Sequence, residues 1–186
     1  MKRTFDILLS LSSLVGLSIP LLILAALVRR SSPGPALFWS ERVGRDNMNF
    51  QMPKFRSLHV GTPNVATHLL ADPGQYLTPM GSFLRRSSLD ELPQLWSILR
   101  GDMSFVGPRP ALFNQSDLIA QRTRAGVHKL RPGLTGWAQI NGRDELSIEE
   151  KVRYDAEYMH RQSFWFDCKI LLLTFQKAIR RDGISH

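Results

Sequence analysis

The feature that most constrains this chain is a run of almost wholly apolar or small residues near its N-terminus, at positions 5–28. Asp6 is the only charged residue in it. A straight helix of this length measures roughly 36 Å, and the hydrocarbon core of a bilayer is about 30 Å thick. The run therefore predicts a membrane helix, and we divide the chain into residues 1–30, the helix, and residues 31–186, a single globular domain.

The residues around the apolar run distinguish three topologies. A cleaved signal peptide is disfavoured because the run is long for such a peptide and lacks a small-residue cleavage site. Basic pairs flank the run at positions 2–3 and 29–30, and a spanning helix would put one pair on the side that positive residues avoid. Pro20 removes a backbone donor in the middle, and Ser18 supplies a hydroxyl for the freed carbonyls. A bent helix that enters and leaves on one face satisfies both flanks.

The region after the run predicts a small β-structure. Residues 31–35 (SSPGP) form a cluster of helix breakers that separates the apolar helix from the domain. Positions 36–40 and 49–56 are typical of short strands joined around residues 44–47, which indicates a hairpin. Pro53 lacks a backbone donor, so the second strand is predicted to lie at an edge.

The second half of the chain predicts mainly helices. Apolar residues at positions 92, 95, 96 and 99 follow helical spacing, and Gly101 ends that pattern. Ser147 and Glu150 form a predicted capping box that opens a helix reaching about Arg161. A last helix over residues 164–181 is either core or an interfacial membrane helix with an aromatic end. The predicted class is α+β and mostly helical.

The charge composition narrows the range of partners. The chain has 24 Lys and Arg against 16 Asp and Glu, a formal net charge of +8. That excess favours phosphates, anionic lipids or nucleic acid, but the chain lacks a recognisable nucleic-acid-binding motif. Cys168 is the only cysteine, which excludes an internal disulfide and a multi-cysteine metal site. No P-loop or dinucleotide-binding glycine motif occurs.

Several basic residues are candidates for binding phosphate groups, because they lie in strands or in rigid turns. Arginine's planar fork binds phosphate oxygens in pairs, and a backbone fixed by Pro and Gly lowers the cost of ordering it. The alternative for each residue alone is a solvated surface charge. The candidates are Lys54, Arg56, Arg85, Arg86, Arg109, Arg131 and Arg143.

Three pairs of adjacent carboxylates are candidates for a nucleophile or a metal ligand. They are residues 90–91, 144–145 and 149–150, and chemistry alone does not choose cleanly among them. Residues 149–150 are best explained as the first turn of a helix. Asp90 and Glu91 follow two arginines at the start of a predicted helix. There the helix dipole and the arginines would keep a carboxylate ionised and attract phosphate, as an aspartyl nucleophile requires. The alternative is that Ser88 and Glu91 are simply a capping box.

Three long motifs add a resemblance to a known family. They are residues 88–95 (SLDELPQL), 101–110 (GDMSFVGPRP) and 131–143 (RPGLTGWAQINGR). In this order they closely resemble the bacterial sugar transferases, the small monotopic phosphoglycosyl transferases. The likeness extends over nearly the whole chain.

The resemblance implies a function and a location. Members of this family transfer a sugar 1-phosphate from a UDP-sugar to polyprenyl phosphate, commonly undecaprenyl phosphate, and release UMP. The product begins a surface glycan that later glycosyltransferases of the same pathway extend. The implied location is the bacterial inner membrane, with a re-entrant helix among its phospholipids and the catalytic domain facing the cytoplasm. Nucleic acid is not an expected partner.

The resemblance also implies residue roles. Asp90 matches the family nucleophile, which forms a covalent phosphosugar, and Glu91 matches its partner; both are associated with Mg²⁺. Arg109 and the other basic candidates would hold phosphate charge. Ser18 and Pro20 stand at the break in the membrane helix, where the family often has Ser and Pro adjacent and this chain has Ile19 between them. A non-catalytic scaffold that recruits glycan-assembly enzymes is the alternative, and the intact Asp-Glu pair argues against it.

Overall fold

Helices make up most of the chain in the computed structural model, which describes residues 1–63, 72–142 and 145–180. The helices in those ranges are α1 (Lys2–Gly16), α2 (Ser18–Ser31), α3 (Gly81–Arg86), α4 (Leu95–Arg100), α5 (Ser116–Arg124), α6 (Trp137–Ile140), α7 (Ile148–Arg161) and α8 (Phe164–Arg180). The strands are β1 (Leu37–Val43), β2 (Asn49–Phe55), β3 (Ser104–Val106), β4 (Ala111–Leu112) and β5 (Gly133–Thr135). The predicted α+β, mostly helical class is confirmed.

The apolar run folds as two helices with a sharp bend between them. The axes of α1 and α2 differ in direction by 64°, and the break lies at Leu17. Pro20 is the third residue of α2, where its missing N–H leaves no intrahelical bond unmade. The Ser18 hydroxyl donates to the carbonyl of Val15 at 2.8 Å, whereas the prediction was a bond to a carbonyl freed by Pro20. The bend is confirmed, and it begins three residues before the proline.

Large apolar side chains point outward along both helices of the bent pair. In the described part of the chain no single helix is long and apolar enough to cross a bilayer, whereas α1 and α2 together meet that criterion by length and composition. The exposed residues are Ile7, Leu8, Leu11, Val15, Ile19, Leu22, Ile23 and Leu27.

The first turn of α1 is attached to the globular part by buried polar contacts. The Lys2 ammonium donates to the Asp167 carboxylate on α8 at 2.6 Å. Asp6, which is almost fully buried, accepts hydrogen bonds from the Ser104 hydroxyl and the Phe105 amide, both at 3.1 Å. A buried carboxylate needs such donors to offset its desolvation. The first turn is therefore fixed to β3 and α8.

The far end of α2 is attached to the same globular part. Val28 is fully buried in an apolar cluster with Phe55. The Arg56 guanidinium donates to the carbonyls of Ser32, at 2.8 Å, and Pro33. Both ends of the bent pair thus contact one body, and the vertex between its helices, Leu17, is partly buried against the apolar core of that body.

The predicted hairpin is present as β1 and β2. The strands pair antiparallel, with Phe38 opposite Lys54 and Arg42 opposite Phe50. β4 pairs with the other side of β1, so the order is β2-β1-β4 and β2 is an edge strand. Pro53 lies in that edge strand, as its missing donor predicts.

The two motif turns that contain Pro and Gly lie side by side, which the sequence did not predict. β3 and β5 pair in parallel, with Ser104 opposite Gly133 and Val106 opposite Thr135. A side chain at Gly133 would put its Cβ 2.1 Å from the amide nitrogen of Gly107. Glycine is therefore required by the close approach of the two backbones.

The helix predicted to begin between Ser88 and Pro93 begins later, although it ends before Gly101 as predicted. Residues 89–94 form a 3₁₀ turn, and a regular α-helix begins only at Leu95. Ser88 has left-handed backbone (φ 55°) and its side chain caps nothing, and Pro93 lacks the N–H that an α-helix would use. The capping-box alternative for Ser88 and Glu91 is thereby contradicted.

The last two helices agree with their predictions. Ser147 and Glu150 form the expected capping box, and α7 ends at Arg161. In α8, Phe166 and Ile170 belong to the core while Trp165 and Phe175 are exposed. One face of α8 is therefore core, and its other face presents aromatic rings to the surroundings. The main core cluster consists of Met52, Leu95, Ile98, Met103, Phe105, Val106, Ile140, Tyr158, Phe166 and Ile170.

Candidate active site

The 3₁₀ turn presents two adjacent carboxylates in different surroundings. It packs against β2, the edge strand of the hairpin. Asp90 is nearly buried, with 8% of its surface exposed, whereas Glu91 is half-buried. The turn follows Ser88, whose backbone is left-handed, and both side chains of the pair lie mostly out of solvent.

Glu91 lies between two cations that come from separate elements. Its Oε1 accepts from the Lys54 ammonium on β2 at 2.9 Å and from Nη2 of Arg109 at 3.0 Å. Arg109 belongs to the loop between β3 and β4. The fold thus brings together three of the residues that the sequence singled out, and the pairing of charged donors with a carboxylate makes strong hydrogen bonds.

The Asp90 carboxyl has a raised pKa. Burial raises its pKa above the ordinary value, and the carboxylate of Glu91 adds to the rise; Lys54, Arg85 and Arg109 oppose it. The sequence predicted that nearby cations keep this carboxylate ionised. They act in that direction, but the loss of water is the larger effect. The result is a poorly hydrated carboxylate surrounded by cations.

Arg42 also belongs to this charged cluster, which sequence reasoning did not predict. The other members of the cluster are Asp90, Glu91, Lys54, Arg85 and Arg109. The Arg42 Nη1 donates to the carbonyl of Pro110 at 3.2 Å and its Nε to the Ser40 hydroxyl at 3.0 Å. Burial lowers the pKa of Arg42 to about 10, Arg109 adds to the lowering and Glu91 opposes it. Strand alternation was the available signal, because a hairpin whose Lys54 faces the site turns the same face of β1, including Arg42, toward it.

The two arginines of α3 lie in different environments. The Arg85 Nε donates to the Ser57 hydroxyl at 3.0 Å, and burial lowers the pKa of Arg85 while Asp90 opposes that shift. Arg86 is exposed at the end of the helix. Arg85 therefore belongs to the electrostatic environment of Asp90, and the role predicted for Arg86 stays a prediction.

The remaining basic candidates lie elsewhere or are not described. The Arg56 guanidinium contacts the linker carbonyls after α2, and Nε of Arg131 donates to the carbonyl of Gly101 at 3.0 Å. Arg143 lies outside the described residues. Phosphate binding by these three residues stays a prediction.

The other carboxylate pairs have different surroundings. Glu149 and Glu150 are exposed in the first turn of α7, where Glu150 completes the capping box. Asp144 lies outside the described residues. Among the described residues, Asp90 and Glu91 are the pair with several cations around it.

The carboxylate oxygens of Asp90 and Glu91 are ligands of the type that Mg²⁺ prefers. Within the described ranges no group of three or more His, Cys, Asp or Glu side chains is arranged to hold an ion. Mg²⁺ characteristically binds to one or two carboxylates and completes its shell with water and substrate phosphate. Asp90 and Glu91 supply such oxygen ligands, so the pair suits Mg²⁺ bound together with a phosphorylated substrate.

A family model confirms the resemblance suggested by the motifs. The model described as "Bacterial sugar transferase" matches residues 1–181. The chain belongs to the bacterial sugar transferase family. All of the cluster residues, from Arg42 to Arg109, lie within the matched region.

Individual relatives within the family are similar over nearly the whole chain. The UDP-glucose:undecaprenyl-phosphate glucose-1-phosphate transferase of Escherichia coli is 41% identical over 96% of this chain, which spans 40% of that relative. The undecaprenyl-phosphate galactose phosphotransferase of Salmonella typhimurium is 35% identical over 98%, or 41% of its own length. The uncharacterized sugar transferase EpsL of Bacillus subtilis is 39% identical over the full chain and 90% of its own length.

Proposed function

We propose that this chain transfers a sugar 1-phosphate from a UDP-sugar to a polyprenyl phosphate such as undecaprenyl phosphate and releases UMP. The observation that carries the proposal is the Asp90–Glu91 pair enclosed by Lys54, Arg85 and Arg109. A diphosphate brings negative charge, and Arg42 adds a fourth cation against two carboxylates. The printed names of the Escherichia coli and Salmonella relatives supply the substrate class.

In the first step, a carboxylate oxygen of Asp90 attacks the phosphorus that bears the sugar. A bond forms between that oxygen and phosphorus, the bond from phosphorus to the bridging diphosphate oxygen breaks, and UMP departs with the electron pair. The product is an acyl phosphate on Asp90. A carboxylate stripped of water, as burial makes Asp90, is a stronger nucleophile than a hydrated one once it is ionised.

In the second step, an oxygen of the polyprenyl phosphate attacks the same phosphorus. The acyl phosphate bond breaks, Asp90 regains its carboxylate, and a polyprenyl diphosphate sugar leaves. Two displacements at one phosphorus allow a soluble donor and a lipid acceptor to use the same site in turn. Covalent catalysis divides one difficult transfer into two easier ones.

The cations around the pair bind the phosphates. Lys54 and Arg109 contact Glu91 at hydrogen-bond distance, so a phosphate placed beside Glu91 lies within their reach. Arg42 and Arg85 are partly desolvated, which strengthens their attraction for an anion. Together these side chains stabilise charge that moves onto the departing UMP.

Asp90 and Glu91 would hold Mg²⁺ together with the donor diphosphate. When bound there, Mg²⁺ supplies neutralisation of phosphate charge and stabilisation of the leaving group. Glu91 orients Lys54 and Arg109 toward the same position.

The test is UMP release from the purified full chain, given undecaprenyl phosphate, Mg²⁺ and each member of a panel of UDP-sugars in turn. We expect release with at least one donor, in equal amount to a lipid-linked sugar diphosphate. Chelation with EDTA should reduce the rate to background, and excess Mg²⁺ should restore it. UDP without a sugar is the matched control for nucleotide hydrolysis. No release with any donor would contradict the proposal and favour a non-catalytic scaffold.

We propose that the bent pair lies within one leaflet of the bacterial inner membrane, with the domain on the cytoplasmic face. Both ends of the pair contact the same globular part, through Asp6 at one end and Val28 at the other. The two ends cannot then lie on opposite sides of a hydrocarbon core about 30 Å thick. Exposed apolar side chains lie along both helices, from Ile7 to Leu27, and are available to the hydrocarbon of that leaflet. A domain at this surface would meet polyprenyl phosphate and begin a surface glycan that later enzymes extend.

Single cysteines at the two ends of the pair test this topology. In a Cys168→Ser background, we expect Thr4→Cys and Arg30→Cys, both at exposed positions, to react with a membrane-impermeant maleimide only in inside-out vesicles. Ile19→Cys near the vertex is the matched control and should be protected in vesicles of either orientation. Labelling of the two ends from opposite faces would establish a spanning segment instead.

A further inference from the structure

The loop that carries Arg109 is held through its backbone carbonyls. Pro108 and Pro110 have no N–H to donate, so two of its four residues, 107–110, bind other elements only as acceptors. The amide of Gly133 donates to the Pro108 carbonyl at 2.8 Å. Nη1 of Arg42 donates to the Pro110 carbonyl at 3.2 Å. The carbonyl between them, that of Arg109 itself, accepts from Nη1 of Arg122 at 2.7 Å.

Arg122 reaches that carbonyl from a buried ion pair. It lies on α5, and its Nε and Nη2 both contact Oδ2 of Asp155 on α7, at 2.9 and 2.6 Å. Asp155 is 1% exposed and Arg122 9%. Burial raises the pKa of Asp155, and the Arg122 charge opposes that rise. One guanidinium thus joins two helices to the loop, using two donors for the carboxylate and a third for the Arg109 carbonyl.

A buried ion pair is a weak means of stabilising a fold. The cost of removing both charges from water can exceed their attraction, and apolar replacements are often neutral or stabilising. What Arg122 gives in addition is a third, directional donor aimed at one backbone atom of the loop. That atom belongs to the residue whose guanidinium contacts Glu91.

We propose that Arg122 and Asp155 form a positioning unit that fixes the backbone of Arg109, so that its guanidinium is pre-aligned for the phosphate of the donor. The proposal rests on the proposed function. Arg109 is partly exposed and long, so its side chain would otherwise lose conformational freedom when substrate binds. The hydrogen bond from Arg122 fixes the backbone that carries this side chain, so less conformational freedom is lost when substrate binds. Position also matters in itself, because a misplacement of about 1 Å is enough to slow a reaction about 10²-fold.

The test is the Arg122→Lys variant of the full chain. Lysine keeps the positive charge beside Asp155, but its single ammonium cannot reproduce the three-donor fork that reaches both partners. We expect kcat/KM for the UDP-sugar to fall about 10–100-fold. In an Arg109→Lys background the same change should cost less than about 3-fold, because a flexible point charge has no fork to align.

The matched control is Leu118→Ala, a buried residue on the same helix whose apolar side chain cannot donate a hydrogen bond to the loop carbonyls. It should lower the melting temperature and leave kcat/KM within about 2-fold below that temperature. If Arg122→Lys does not fold, Asp155→Asn replaces it, since asparagine retains an acceptor for Arg122 while removing the charge. The same dependence on Arg109 is expected.

The outcomes separate this proposal from the function on which it rests. If Arg122→Lys lowers kcat/KM by the same factor in the wild-type and in the Arg109→Lys background, the positioning unit is overturned. Turnover by the wild-type chain would still support the transferase. The positioning unit would also be overturned if Leu118→Ala reproduced the loss of kcat/KM. A wild-type chain that releases no UMP would overturn both.

Discussion

Replacing Asp90 with asparagine is expected to lower turnover by at least about 10⁴-fold without unfolding the protein. The amide has nearly the shape of the carboxylate, so the packing of this nearly buried side chain is preserved. It is not a competent nucleophile toward phosphorus, however, and no acyl phosphate can form. Initial rates of UMP release and thermal unfolding measure the two effects separately.

Intact-protein mass spectrometry provides a second readout for Asp90. Incubated with Mg²⁺ and a competent UDP-sugar in the absence of lipid, the wild-type chain should gain the mass of one sugar phosphate, and Asp90→Asn should gain none. Asp117→Asn is the matched control because Asp117 is exposed in the first turn of α5; it should behave as wild type. Near-normal turnover by Asp90→Asn would exclude Asp90 as the nucleophile.

Replacing Glu91 with glutamine is expected to lower kcat about 10²–10³-fold, the range seen when one charge-stabilising group is removed from an active site. The amide keeps an oxygen in the position that accepts from Lys54 and Arg109. It lacks the charge that makes those hydrogen bonds strong and that suits Mg²⁺. The loss should therefore appear in kcat at saturating donor and Mg²⁺, with little change in thermal stability.

A neighbouring carboxylate gives the control for Glu91. Glu41 lies on β1 and accepts from the Asn49 side chain at 3.0 Å, on the face of the hairpin opposite to Arg42. Glu41→Gln should retain kcat within about 2-fold. A kcat for Glu91→Gln within about 3-fold of wild type would show that the Glu91 charge contributes little to the reaction.

Features that depend on local interactions were predictable from the sequence. The capping box at Ser147 and Glu150 and the edge position of Pro53 each follow from hydrogen bonds that a few neighbouring residues make or lack. A bend in the apolar run was also predicted from Pro20, but its position was not, because the helix breaks at Leu17 and Pro20 lies in the first turn of α2. There the missing donor falls in a first turn, where it is not needed.

The arrangement of the site depends on contacts that local patterns do not encode. Glu91 meets Lys54 across 37 positions and Arg109 across 18. Lys54 and Arg56 look equivalent in sequence, yet one contacts Glu91 and the other binds the linker after α2, because the strand ends between them. The motifs and the family resemblance selected Asp90 and Glu91; only the packing of hairpin, turn and loop shows which cations surround them.

The anchoring of the first helical turn has a consequence for how the protein folds. Lys2 meets Asp167 across 165 positions, and Asp6 meets Ser104 across 98. The apolar segment is synthesised before α8, so Lys2 acquires its partner only after α8 has left the ribosome. Contacts between residues so far apart in the sequence form slowly, so the first turn of α1 docks late in folding. The position of the apolar helices relative to Asp90 and Glu91 is therefore fixed only after both the first turn of α1 and α8 have been synthesised.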